Sequence, residues 1–131
     1  MIGVKAVITN NINQVLVLRE AKYDEGTNEG KWDVPGGRIN PEEPILFALQ
    51  REVREESGLE IEVNQLLGVA ESFPVIKSET CHIVRIYYQC TKLPSELRLG
   101  SDHDMYEWVS LDNLDTKNYM SEVKEMIEKV L

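Results

Sequence analysis

The stretch "REVREESG", residues 51–58, decides how this chain is read. Glu52, Glu55 and Glu56 stand at i, i+3 and i+4, so on a helix their side chains share one face. Like charges at that spacing repel by roughly 0.2–0.5 kcal/mol per pair. A solvated helix face carries such a run without further purpose. A site for divalent cations accounts for it differently, because bound metal reverses the sign of the local field.

The surroundings supply the helix. Ile45, Leu46, Ala48, Leu49 and Val53 recur at helical spacing. Pro44 suits the first helical position, where its missing N–H costs nothing, and Gly58 supplies the stop. The spacing predicts a helix from about Pro44 to Ser57. Upstream lie Gly37, five residues, Glu43, seven residues, and then Arg51-Glu52-Val53-x-Glu55-Glu56-x-Gly58-Leu59. At about 6% usage per specified residue, a chance match to this pattern is on the order of 10⁻⁸ to 10⁻⁷. A solvated face does not account for that.

The pattern G-x5-E-x7-R-E-U-x-E-E-x-G-U, with U a bulky aliphatic residue, resembles that of the Nudix hydrolase family. "KWDVPGG" (31–37) and "YEWVSLDNL" (106–114) look like family landmarks in the right order, so the resemblance covers nearly the whole chain. It implies an α/β fold, an α/β/α sandwich around a mixed β-sheet, with the catalytic helix following a glycine loop. It also implies hydrolysis of a nucleoside diphosphate linked to some group X. By the same resemblance Glu52 and Glu56 are direct metal ligands, Glu55 is a ligand or lies one layer behind, and the Gly36 carbonyl is a backbone ligand. Mg²⁺ is the cofactor implied, with Mn²⁺ able to substitute. The chemistry agrees, since magnesium is a hard cation that takes a few carboxylate oxygens plus substrate phosphates. Arg51 is expected to orient one carboxylate through a bidentate pair, and Glu43 to hold the loop to the helix. Asn40 and Pro44 depart from what many members carry, at positions the pattern leaves open.

The general base has two candidates, Glu52 and an acid in "SDHDMYEW" (101–108). By the resemblance Asp102 aligns best with the family's late acidic ligand, completing the metal shell, while Asp104 and Glu107 remain alternatives; each is balanced by the plainer reading of a loop charge. His103 is read as a solvated loop residue ahead of a substrate contact, and with His82 it gives no metal pair by spacing. Tyr23, Trp32 and Phe73 are candidates to stack a base, although Trp32 also reads as core, and Glu107 is the candidate for a contact to base or ribose. Pro74, fifteen residues beyond Leu59, resembles a proline associated with ADP-ribose hydrolases. The compact chain instead looks like the nucleoside-triphosphate hydrolases. The reading favours nucleoside triphosphates, oxidised ones included, over ADP-ribose. A non-cleaving nucleotide-binding module and an RNA-end hydrolase rank lower.

The 131 residues read as one domain, 1–131, with a small-molecule nucleotide as partner. Lys and Arg number 14 against 23 Asp and Glu, for a net charge of -9, which argues against general nucleic-acid binding. No apolar run approaches the ~20 residues of a membrane span, and the N-terminus carries no targeting pattern. The expectation is a cytoplasmic protein, with homodimerisation left open. Cys81 and Cys90 fall in one apparent strand, "TCHIVRIYYQCT", roughly 30 Å apart when extended, and are read as free thiols. "VKAVITN" and "QVLVLRE" read as a hairpin, "AKYDEGTNEG" as a surface loop, and "LEIEV", "LLGVAESF", "HIVRIYYQCT" and "MYEWVSL" as strands. Asn118 or Ser121 is the candidate cap of a last helix with Tyr119, Val123, Met126, Ile127, Val130 and Leu131 inward.

Overall fold

Alternation along the strands builds a core on each face of one sheet. Strand β1 (Ile2–Thr9) turns Val4, Ala6 and Ile8 to one side and Val7 to the other. β2 (Val15–Glu20) does the same with Leu16 and Leu18 against Val15 and Val17. A sheet with two apolar faces needs a cover on each. Helix α1 (Ile45–Ser57) covers the first with Ala48, Leu49 and Val53, and the short α2 (Val123–Glu128) covers the second with Val123, Met126 and Ile127. This is the expected α/β/α sandwich.

The computed structural model describes residues 1–21 and 28–131. Besides β1 and β2 the sheet contains β3 (Trp32–Asp33), β4 (Gly36–Arg38), β5 (Ile61–Ser72), β8 (Ile83–Lys92) and β9 (His103–Val109). β6 (Val75–Ile76) and β7 (Glu79–Thr80) form a separate small hairpin. The main order is β3-β2-β1-β8-β5, with β4 beside β1 and β9 beside β2. β1 and β8 are parallel and the other pairs antiparallel, so the sheet is mixed.

The expected hairpin of β1 and β2 closes only at Thr9↔Val15. Beyond that point the strands part. β4 takes the first half of β1, with Lys5 opposite Gly36, and β9 takes β2. The wedge requires glycine. Gly36 has φ +152°, and a Cβ there would overlap the Val4 carbonyl oxygen and stand 2.7 Å from the Lys5 Cα.

α1 starts one residue later than expected. Pro44 is extended (φ -61°, ψ 143°) and precedes the first helical residue, with no side-chain cap. Ile45 and Leu46 belong to a first turn that leaves them exposed, so the inward stripe begins at Ala48. Gly58 ends the helix at φ 73°, its N–H bonding the Arg54 carbonyl at 2.9 Å. The segment 96–100 then straps across the helix end. Arg98 N–H reaches Ser57 O (2.7 Å) and Gly100 N–H reaches Glu56 O (3.0 Å), satisfying carbonyls that a helix end leaves open.

Other elements are redrawn. "LEIEV" and "LLGVAESF" are one strand, β5, whose register shifts near Asn64 and Leu67 absorb the break in alternation. β8 begins at Ile83, after Cys81; both cysteines are free, and burial pushes the Cys90 thiol up to about 12. Neither Asn118 nor Ser121 caps α2 through its side chain. Glu122 occupies that position, but its carboxylate is taken by the Arg85 guanidinium (2.7 and 3.1 Å) and the Tyr87 hydroxyl (2.5 Å). Among the described residues no helix is long and apolar enough to cross a membrane.

Gly36→Ala is expected to cost about 2–4 kcal/mol, since its Cβ meets the backbone of a central strand, at Val4 and Lys5, before it meets the Lys5 side chain. Urea denaturation measures it; a midpoint unchanged from the parent would mean that β1 and β4 adjust freely.

Candidate active site

α1 turns Glu52 and Glu56 toward the glycines of β4, beside its inward stripe, and leaves Glu55 exposed. Arg51 organises them. Its Nε and Nη2 bond both oxygens of Glu43 (2.6 and 2.9 Å), Nη1 bonds Glu52 (3.0 Å) and Glu55 (3.3 Å), and Nη2 also reaches Arg38 O (3.1 Å). The bidentate partner is therefore Glu43 and not one of the helix carboxylates. Glu43 in turn accepts the Asn40 N–H (3.0 Å). The Arg51 hydrogen bonds, with that backbone N–H, hold the Glu43 carboxyl down at about 2, so it clamps the loop to the helix as a permanent anion.

Glu52 lies against Gly37, where a Cβ would come within 2.5 Å of its Oε2. Glu56 accepts the Gly36 N–H at 2.9 Å. The glycine turn thus touches two of the three glutamates. Burial pushes the Glu56 carboxyl up to about 7, against the pull of nearby Lys5, the Gly36 amide and His103. Lys5 sits under the gap left by the parted strands, its Nζ bonded to Asp33 Oδ2 at 2.8 Å. Burial pulls the Lys5 ammonium down, but Asp33 and Glu56 outweigh it and the net shift is upward.

The opposite wall comes from the strap. Ser101, Asp102 and His103 face Glu52, Glu55 and Glu56 across a recess of about 210 Å³. The Asp102 carbonyl accepts the Ala21 N–H (2.9 Å). His103 corrects the sequence reading. It is not a solvated loop residue but is 7% exposed on β9, with Nε2 3.4 Å from Glu20 Oε1. Asp104 is paired with Arg19 (2.8 Å), and Glu107 accepts from Lys117 Nζ (2.6 Å). Glu107 lies opposite Val17, on the α2 face and away from the recess.

A second cavity, of about 510 Å³, opens on the α2 side between Phe73, Asp33, Arg85, Tyr87, Met120 and Glu122. Phe73 stands at its wall, half-exposed and stacked on His82 (4.4 Å, 18°). Trp32 does not offer a stacking face. It is 8% exposed in the α2-side core, with Lys117 Nζ 4.8 Å from the ring centroid. Tyr23, and most of the expected surface loop, fall outside the described residues.

A family model of the NUDIX domain matches residues 1–130. The chain belongs to the Nudix family. Human 8-oxo-dGDP phosphatase NUDT18 is 34% identical over 126 residues, covering 82% of this chain and 37% of that protein. Nucleoside triphosphatase NudI of Klebsiella pneumoniae is 28% identical over 110 residues, covering 79% of this chain and 77% of its own. The chain therefore spans little more than a third of the first relative and about three quarters of the second. The crystal structure of a MutT NUDIX hydrolase from Burkholderia pseudomallei superposes with a TM-score of 0.82 at 26% identity, over 99% of this chain and 97% of that one.

Nudix hydrolases use divalent metal ions. The donors that α1 and β4 supply fit such an ion, being carboxylate and backbone oxygen. Among the described residues no three His, Cys, Asp or Glu side chains already converge on one point. Glu52 and Glu55 lean on Arg51, and Glu56 on Gly36. The elevated proton affinity of Glu56 marks a carboxylate short of positive charge, which is what a cation supplies. Lys5, Asp33 and Glu20 escaped the sequence reading. A lone lysine inside the apolar run "GVKAVI" was the available signal, because a charge in a core strand is rarely unpaired.

The Glu56 shift fixes a pH dependence. Its folded value, about 7, exceeds the ordinary 4.5, so its favourable contribution is complete below pH 4.5 and lost as pH rises to 7. The metal-free protein should lose on the order of 3 kcal/mol through this group between those limits. Urea titrations in chelator at several pH values read the slope. Glu56→Gln should flatten it and raise stability at pH 8; an identical slope in the variant would assign the effect elsewhere.

Proposed function

We propose that this chain, acting as one domain over 1–131, hydrolyses a pyrophosphate bond in a nucleoside triphosphate, oxidised ones included. The observation that carries the reading is the recess itself, with Glu52, Glu55 and Glu56 on one wall and Asp102 on the other. The names of NudI, a nucleoside triphosphatase, and NUDT18, an 8-oxo-dGDP phosphatase, support the substrate class. The intact Arg51-Glu52-x-x-Glu55-Glu56 pattern supports an enzyme over a non-cleaving module.

In this reading Glu52, Glu56 and the Gly36 carbonyl hold a divalent cation, Mg²⁺ or Mn²⁺, with Glu55 beside them. When bound, it supplies Lewis acidity toward phosphoryl oxygens and neutralises their charge. Arg51 keeps Glu52 and Glu55 in place, since its own orientation is locked by Glu43. Asp102, across the recess, accepts the proton of the attacking water at its carboxylate; Glu52 is the alternative base. Phe73, at the wall of the second cavity, is the residue assigned to stack the base. ADP-ribose ranks second, and the Pro74 signal for it weakens, because the Pro74 carbonyl accepts the Cys81 N–H (2.8 Å) and so closes the β6–β7 hairpin, an ordinary turn duty.

A panel of nucleoside triphosphates, nucleoside diphosphates and ADP-ribose with Mg²⁺, followed by chromatography of phosphate and pyrophosphate, tests the substrate. Triphosphates should give the highest kcat/KM. Glu52→Gln and Glu56→Gln should each lower kcat about a hundredfold or more in a folded protein, and Asp102→Asn should lower kcat more than it raises KM. A panel in which ADP-ribose dominates would reverse the order of the two readings.

A further inference from the structure

His103 should, by simple alternation, point away from the recess. β9 pairs with β2 so that Tyr106 faces Leu18 and Met105 faces Arg19. Leu18 belongs to the α1-side core, so Met105 and every second residue from it belong to the α2 side. The register then slips, and Glu20 lies opposite His103 instead of Asp104. Asp104 is the extra residue, held outside by its ion pair with Arg19. One inserted residue reverses the facing of the strand beyond it. The bulge therefore turns His103 onto the α1 side, where it lines the recess with Glu52, Glu55, Glu56 and Asp102.

Its two ring nitrogens are not equivalent there. Nε2 faces Glu20, whose side chain is 14% exposed. A carboxylate accepts, so that contact places the proton on Nε2 and leaves a lone pair on Nδ1. Nδ1 is buried with no hydrogen-bond partner. A buried nitrogen without a partner is costly unless something outside the chain completes it. A carboxylate on one ring nitrogen and an unpartnered lone pair on the other, here on a buried edge of the ring, is the arrangement from which a histidine ligates metal.

We propose that His103 contributes Nδ1 to the coordination of the cation in the recess, oriented by Glu20. This inference rests on the reading of the recess as a cation site. Carboxylate and carbonyl oxygens take Mg²⁺ and Mn²⁺ alike, whereas imidazole nitrogen suits first-row transition ions and not Mg²⁺. His103 thus makes the site a mixed oxygen–nitrogen one and tilts its preference toward Mn²⁺.

The test reads the metal and not turnover. The full chain is loaded with one equivalent of Mn²⁺ and examined by electron spin-echo envelope modulation, with Mn²⁺ and Mg²⁺ affinities measured by calorimetry. Directly bonded ¹⁴N should be seen in the parent and be absent in His103→Gln. That variant should lose about tenfold or more in Mn²⁺ affinity while Mg²⁺ affinity changes less than about threefold, and Glu20→Gln should weaken Mn²⁺ binding in the same direction. Mn²⁺ binding by the parent without ¹⁴N coupling overturns the role of His103 and leaves the cation site standing. No binding of either metal overturns the reading of the recess itself.

Discussion

The backbone of Gly36 and Gly37 lies directly against the glutamates of α1, and the recess depends on that close approach. Any side chain at Gly37 would occupy the space of the Glu52 carboxylate, and any at Gly36 would collide with β1. The two glycines let β4 wedge between the parting strands while its amide holds Glu56. Sheet topology and carboxylate placement are thus consequences of the same missing Cβ atoms. The comparison with the Burkholderia MutT hydrolase, alike over nearly its whole length, places the chain in that architecture.

The electrostatics of the site are divided between two cations. Arg51 works at the outer rim, where it holds Glu43, Glu52 and Glu55 together. Lys5 works from beneath, through the gap in the sheet, and is itself shared with Asp33. Repulsion among helix carboxylates is worth only tenths of a kilocalorie per pair at an exposed face. The shift of Glu56 is larger, because burial weighs more than neighbouring charge there. Burial and not crowding sets the electrostatic strain of the site.

What the sequence made legible is what is local in the chain. The helix and its glycine stop come from spacings of a few residues, which a helix converts directly into neighbours. The choice of Glu43 as the bidentate partner of Arg51 depends on how the loop folds back and was not legible. The two-faced sheet comes from alternation in "VKAVIT" and "VLVL". Features set by strand pairing were not legible. Lys5 meets Asp33 across 28 residues, and the facing of His103 depends on a register slip against β2 that alternation cannot reveal. Trp32 illustrates the ambiguity of aromatics. Its place in "KWDVPGG" suited a stacking role, yet its backbone is bonded to Asn118 and Met120, which seats the indole in the core.

The strap across the end of α1 bears on how the site comes apart. The last turn of a helix is ordinarily where fraying begins. Here the carbonyls of Glu56 and Ser57 are held by Gly100 and Arg98, and Asp102 comes two residues later on the same segment. The helix end cannot unwind without lifting the strap, and the strap cannot lift without exposing those carbonyls. The two walls of the recess therefore share a single opening event. Those shared hydrogen bonds tie opening at the end of α1 to opening at 98–100, so the site should be lost whole, not wall by wall.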